Sequence, residues 1–230
     1  MKTIGLIGGM SWESTASYYR FINEMVKQRL GGFHSAKVVL FSVDFHEIEQ
    51  LQRQARWEEA GRVLANAGCA LESAGAEFLV LCTNTMHKVA AAIESAVSIP
   101  LLHIADATAE RIKDAGLSKI GLLGTRFTME QEFYRDRLRV FNGIDVLIPP
   151  PNDREEVDRI IFEELVLGYI VSASRGEYRR IIEGLAGQGA EGIILGLYRN
   201  FTARLGRGFA GSLVRHHTDS CGERRGARLG

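Results

Sequence analysis

Ile4-Gly5-Leu6-Ile7-Gly8-Gly9-Met10-Ser11-Trp12 is the stretch that decides the fold. A short β-rich run ends in two glycines. Ser11 follows, able to cap a helix beginning at Trp12, with Glu13 placed to meet the positive end of that helix. A strand that turns straight into a helix opens a βαβ unit. The order then continues. Residues 37–41 read as a second strand, Trp57, Ala60, Leu64, Ala67 and Leu71 fall at helical spacing, and Phe78-Leu79-Val80-Leu81 is the apolar run expected of a strand covered on both faces. The expectation is an α/β fold with parallel sheets.

The second part of the chain repeats the first. Gly121-Leu122-Leu123-Gly124 matches Gly5-Leu6-Ile7-Gly8, and Gly189-Ala190-Glu191 matches Gly75-Ala76-Glu77, in the same order and at nearly the same offset. Each match is weak alone; together they predict two pseudo-symmetric halves, residues 1–100 and 101–196, with the binding site in the cleft between them. In the second half Ile120 to Leu123 reads as a strand, Thr128 with Gln131 as a capping box, and Tyr134, Leu138 and Phe141 as one helix face. Asp153 with Glu156 offers another helix start before Val157, Ile160, Ile161 and Leu165, after a turn at Pro149-Pro150-Pro151-Asn152.

Composition narrows the function classes. With 46% hydrophobic and 24% charged residues among 230, the chain can bury a sizeable core. Its apolar runs are far too short to span a membrane, and the N-terminus enters a strand with no signal-like segment, which gives a cytoplasmic reading. Three cysteines, Cys69, Cys82 and Cys221, suggest reduced thiols and no disulfide framework. Gly5-x-x-Gly8-Gly9 is not the dinucleotide fingerprint, so no cofactor is expected. His216-His217 with Cys221 lacks ligand spacing, and no metal is expected.

Cys82 is the candidate for chemistry. It stands where the third strand gives way to Thr83-Asn84-Thr85-Met86-His87 and a helical run over residues 88–96. A thiol at a helix N-terminus is drawn toward the thiolate and suits proton transfer; the other reading is a small buried cysteine at a strand end. His87 reads as a supporting residue on the helix, and His103 as one that approaches the cleft.

Residues 1–11 and Cys82-Thr83-Asn84-Thr85-Met86-His87 together resemble the opening loop and first cysteine motif of the aspartate/glutamate racemases. The likeness continues through Pro100-Leu101-Leu102-His103, Gly121 to Thr125, and Gly189-Ala190-Glu191-Gly192-Ile193-Ile194-Leu195-Gly196, and lies nearest the broad-specificity bacterial amino-acid racemases. It implies a dimeric enzyme free of pyridoxal phosphate, acting on a small amino acid, in which one cysteine removes the α-proton and another returns one on the opposite face. Donors near Met10, Ser11, Thr83, Asn84, Thr85 and Thr125 would hold the substrate carboxylate; Ser11 and Thr125 are equally readable as a helix cap and a turn residue. Aspartate-selective members use an arginine and a lysine where this chain has Glu49 and Val166. The implied substrates are therefore neutral or hydroxylated amino acids, with residues 44–52, Glu49 and Gln52 included, along the side-chain pocket; Glu49 also reads as part of a solvated helix face.

The second cysteine is missing. The repeat offset carries Cys82 to residues 196–198, where the family pattern has Gly-Cys-Thr-Glu and this chain has Gly196-Leu197-Tyr198-Arg199. Leu-Tyr-Arg-Asn-Phe can be encoded CTG-TAC-CGA-AAT-TT, and dropping the first base gives TGT-ACC-GAA-ATT, Cys-Thr-Glu-Ile. Residues 197–230 also differ in composition, with seven Arg, no Lys, one Asp and one Glu, no Ile, and no sustained strand or helix period. The tail reads as translated out of frame, the other reading being a basic disordered tail. It carries +5 of a chain whose net charge is zero, yet lacks interleaved aromatics, so no nucleic-acid partner is expected. A racemase impaired by loss of its second base is the leading reading. A one-cysteine decarboxylase or isomerase of the same scaffold, and a non-catalytic amino-acid-binding relative, are the alternatives.

Overall fold

The computed structural model describes residues 1–169 and 171–196, and the backbone of one strand at 212–215. The first half runs β1 (Ile4–Gly8), α1 (Trp12–Leu30), β2 (Val38–Ser42), α2 (Phe45–Arg53), α3 (Trp57–Ser73), β3 (Phe78–Leu81), a 3-10 segment (Thr85–Val89), α4 (Ala90–Ala96) and β4 (Leu101–Leu102). The second runs α5 (Ile104–Asp114), β5 (Lys119–Leu123), α6 (Arg126–Glu130), α7 (Glu132–Asn142), β6 (Asp145–Leu147), α8 (Pro151–Ile160), a π-turn (Ile161–Leu165), α9 (Ser172–Gly187), β7 (Gly192–Leu195) and β8 (Ser212–Arg215). The strands form two parallel sheets of the same topology, β2-β1-β3-β4 and β6-β5-β7-β8. The fold is α/β with two such halves, as the sequence predicts.

The repeat extends to individual hydrogen bonds. Gly75 and Gly189 both take positive φ, 89° and 94°, to end a helix and enter a strand. The following glutamates then do the same work. Glu77 accepts the Thr3 N–H at 2.7 Å, and Glu191 accepts those of Ser118 and Lys119 at 2.6 and 3.0 Å. At the far ends of the strands, the Cys82 N–H reaches Ile7 O at 2.9 Å and the Gly196 N–H reaches Leu123 O at 2.8 Å. The ladder thus makes Gly196 the structural counterpart of Cys82.

Strand alternation sorts the first half's core. Ile7, Leu79 and Leu81 pack toward α3, with Leu64, Ala67 and Leu71, whereas Ile4, Leu6, Val80 and Cys82 pack toward α1, with Tyr18 and Ile22. One continuous cluster, from Ile104 through Leu195, fills the second half. Gly5 and Gly121 let the neighbouring strand's side chain and the covering helix close over the central strands: a Cβ would come within 2.7 Å of Leu79 Cδ2 and 3.3 Å of Leu71 Cβ at Gly5, and 2.5 Å of Ile193 Cδ1 and 3.0 Å of Leu185 Cδ1 at Gly121.

Several local expectations are corrected. Thr125, not Thr128, caps the helix after β5, its hydroxyl accepting the Thr128 N–H at 3.3 Å, and Gln131 makes no side-chain cap. The Pro150-Pro151 pair starts α8 through proline's fixed φ, and Asp153 is instead drawn to Arg180 at 2.6 Å. Tyr134 and Leu138 are buried, but Phe141 is three-quarters exposed near the end of α7. The tail was expected to lack strand character, yet β8 pairs in parallel with β7, from Gly192 opposite Ser212 to Leu195 opposite Arg215. A sheet edge offers backbone groups to any short extended segment, and Leu213-Val214 has the propensity to take them. No helix among the described residues is long and apolar enough to cross a membrane.

Candidate active site

The carboxyl ends of both sheets open on one cleft, and the elements that wall it follow from local turn chemistry. Met10 and Ser11 come from the turn after β1. Gly9 allows that turn, with φ 98° and a position where a Cβ would stand 2.1 Å from the Val43 carbonyl oxygen. Ser11 caps α1, accepting the Ser14 N–H at 3.3 Å, and lines the cleft as well. Thr83, Asn84 and Thr85 form the floor after β3, while Thr125, Thr128 and Gly196 face them from the second half. Thr125 likewise both caps its helix and lines the cleft.

The halves touch through named contacts. Thr85 and Thr125 share a hydroxyl hydrogen bond of 2.9 Å, and Thr125 continues to Thr128 at 3.1 Å. Lys88 donates to Gln131 at 2.6 Å and lies 4.1 Å from the centre of the Trp57 ring, which packs nearly perpendicular to Phe127 with centroids 5.1 Å apart. Burial holds the Lys88 ammonium below its ordinary pKa. One side of the cleft is apolar, made by Phe45, Ile161, Phe162, Leu165 and Val166.

Asn84 stands between the halves. It is buried, its Nδ2 is 3.4 Å from where a Gly196 Cβ would sit, and its Oδ1 has no hydrogen-bond partner among the described residues. A buried carbonyl left unpaired is costly, so an acceptor held in this way at a cleft wall is suited to a ligand's N–H.

Cys82 is placed differently from the sequence expectation. Its side chain is fully buried in the cluster facing α1, with its thiol 4.0 Å from the Val80 carbonyl, and it lies behind Thr83 and Asn84 without lining the cleft. The helix N-terminus expected beside it is replaced by the 3-10 segment, which begins three residues later and has Asn84 before it. Strand alternation decides this: the residue two beyond Val80 points to the same face. Glu49 is also displaced. It pairs with Arg53 and lies in an adjacent charged groove with Arg126 and Asp158, outside the cleft, while Gln52 lines both and donates to Met86 Sδ at 2.9 Å. His103 does not reach the cleft either; it caps α5. Among the described residues, no group of three or more His, Cys, Asp or Glu is placed to hold a metal. Leu197, His216-His217 and Cys221 lie outside the described residues.

The model of the Asp/Glu/hydantoin racemase family matches residues 7–196. The chain belongs to this family. It is 56% identical to a candidate Asp/Glu racemase from Yersinia pestis, over 96% of this chain and 95% of that one, with a TM-score of 0.85. An aspartate racemase homologue from Pyrococcus horikoshii OT3 is 33% identical, over 96% of each chain, with a TM-score of 0.81. The broad specificity amino-acid racemase RacX of Bacillus subtilis (strain 168) is 26% identical over 149 residues, and the match spans 63% of each protein.

Within this Asp/Glu/hydantoin racemase chain, sequence reasoning missed the cleft residues whose side chains arrive from distant elements. Phe45, at the start of α2, falls within the 44–52 segment expected along the pocket; those missed are Ile161, Phe162 and Leu165, on the π-turn. Their only sequence signal is apolar periodicity, which reads equally as core. Gly196 was legible, as the residue before the expected second cysteine.

Proposed function

We propose that this chain is built as a cytoplasmic, cofactor-independent racemase of neutral or hydroxylated amino acids, and that its activity is impaired because Leu197 replaces the second base. The supporting observation is the pairing of strand ends: Cys82 and Gly196 occupy equivalent rungs of two equivalent sheets, and Asn84, two residues beyond Cys82, lines the cleft beside Gly196. A two-base reaction at Cα needs one proton carrier from each half. The first half supplies a thiol, and the second carries a leucine one residue beyond the equivalent rung.

Substrate groups find matching partners in this geometry. Hydroxyls of Ser11, Thr85 and Thr125 and the Asn84 amide N–H groups suit the carboxylate, Asn84 Oδ1 suits the ammonium, and the apolar wall that includes Val166 suits an uncharged side chain. Burial of Cys82 in an apolar cluster opposes the thiolate; a bound ammonium nearby favours it, so ionisation is tied to occupancy. The thiol has to turn from the α1 face toward the cleft. Its sulfur then takes the α-hydrogen as a proton, leaving the electron pair on a planar carbon that the carboxylate donors stabilise. With no second base, the same sulfur returns a proton after exchange with solvent, and configuration is retained. Exposed Tyr19, Leu30, Phe33, Leu40 and Phe41, on α1, β2 and the loop between them, offer an apolar surface for a homodimer, a state that light scattering checks.

The test is Cα deuterium incorporation from heavy water, measured for both enantiomers of a panel of amino acids. The expected result is incorporation with retained configuration, abolished in Cys82→Ala. Carbon dioxide release would point to the decarboxylase alternative. Ligand binding without any conversion that depends on Cys82 would point to the non-catalytic one. Incorporation dominated by aspartate would overturn the side-chain assignment.

A further inference from the structure

Behind the cleft floor lies a pair of histidines that the proton transfers do not use. His87 and His103 are both buried, with ring centroids 4.5 Å apart and planes at 64°. His87 sits in the 3-10 segment that follows Thr83-Asn84-Thr85, and its backbone N–H reaches Asn84 O at 3.1 Å. Its ring makes two further bonds, Nδ1 with the Thr83 carbonyl at 2.7 Å and Nε2 with the Ile104 N–H at 3.2 Å. A backbone N–H only donates, so Nε2 is the acceptor, and Nδ1 carries the proton that the Thr83 carbonyl accepts. Only one neutral tautomer satisfies both.

Ile104 is the first residue of α5, whose opening N–H groups have no partner inside the helix. His87 takes one, and His103 Nδ1 takes the next, from Ala105, at 3.2 Å. The charged group facing this pair is Arg137 from α7, held by Asp106 of α5 through two bonds of 2.7 Å and acted on more distantly by Glu94 of α4.

We propose that His87 is a positioning residue: as the Nδ1–H tautomer it ties the Thr83 carbonyl to the start of α5, and so fixes where Thr83, Asn84 and Thr85 meet the substrate. This rests on the racemase reading for its effect on rate, but not for the bond network itself. An apolar ring of the same size would fill the space without holding the carbonyl. His87→Phe and His87→Asn therefore separate the roles, because the asparagine amide sits near the Nδ1 position and can still donate to Thr83.

The experiment uses the full chain, labelled with nitrogen-15. The ring resonances of His87 should report a single Nδ1–H tautomer that persists between about pH 8 and 5. In His87→Phe, exchange at Cα that depends on Cys82 should fall by about 10²-fold, the loss expected from misplacing a substrate-holding wall by about 1 Å. His87→Asn should recover part of it, with both variants folded by circular dichroism. An Nε2–H tautomer, titration near the ordinary histidine value, or unchanged exchange in a folded His87→Phe would overturn the proposal. If the parent shows no exchange that Cys82→Ala removes, the racemase reading fails instead. The tautomer, together with calorimetric amino-acid affinity, then decides the role of His87 alone; affinity lowered in His87→Phe and nearer the parent in His87→Asn supports it, and affinity unchanged in His87→Phe overturns it. Should His87→Phe not fold, the tautomer in the parent decides, Nδ1–H supporting the proposal and Nε2–H overturning it.

Discussion

Asn84 carries the most informative chemistry of any single cleft residue, because its buried Oδ1 has no hydrogen-bond partner among the described residues. Two explanations make opposite forecasts. If the residue serves only the fold, Asn84→Leu removes a desolvated, unpaired carbonyl and leaves amino-acid binding alone. If Oδ1 receives the substrate ammonium, the same change removes a charge-assisted bond worth about 1.5–3 kcal/mol, and affinity falls by about 10- to 150-fold. We expect the second outcome, with urea stability unchanged or raised, measured by calorimetry and equilibrium unfolding on one preparation. Asn84 was legible in the sequence as part of Cys82-Thr83-Asn84-Thr85. The face taken by Cys82 follows from the alternation after Val80, whereas the 3-10 segment that stands in place of the expected helix start was not legible.

At the scale of elements, the junction between the 3-10 segment and α5 makes stability depend on pH. Burial holds both imidazoles below their ordinary range, His103 down to about 3 with Arg137 adding to the effect, and His87 well below with His103 and Arg137 contributing. Unfolding returns each to about 6.5, so below that pH the unfolded chain binds more protons than the native one. Stability is therefore full above about pH 6.5 and declines as pH falls, by up to about 1.4 kcal/mol per unit for each histidine, the His103 part levelling near pH 3. Glu191, held below its ordinary value by the Ser118 and Lys119 N–H groups, loses its contribution only in the more acidic carboxylate range. Urea midpoints between about pH 6.5 and 5 thus report the histidines. His103→Asn should reduce the slope toward half, and an unchanged slope would refute the assignment. Elements buried on both faces, such as β1, β3 and β5, were readable as continuous apolar runs, since any other pattern would leave a polar group in the core. Helix starts were read less well. Thr125, Thr128 and Gln131 are all acceptable near a cap, and the choice fell to Thr125, whose hydroxyl also meets Thr85 across the cleft.

For the whole molecule, two-fold architecture is what turns a missing cysteine into a mechanistic statement. On the two-base reading proposed above, a single α/β half presents one strand-end residue to one face of a substrate, and inversion requires a proton donor at the end of β7 as well as β3. The sequence repeat located that position to within a residue, and the ladder bonds of Cys82 and Gly196 narrow the equivalent rung to Gly196, immediately before Leu197. Deleting one base ahead of codon 197 restores Cys-Thr-Glu-Ile if the coding sequence is as inferred, and sequencing that codon checks the inference directly. We then expect the chain as it stands to exchange the α-proton of one enantiomer with retention, and to racemise at least about 10²-fold more slowly than the frame-restored protein, the contribution typical of one general acid or base. Leu197→Cys alone should recover little, since the Thr-Glu that follows in the family pattern remains Tyr198-Arg199. Polarimetry beside deuterium incorporation separates the two rates. Equal racemisation by the two proteins would show that inversion needs no cysteine from the second half, and the two-base assignment would fall with it.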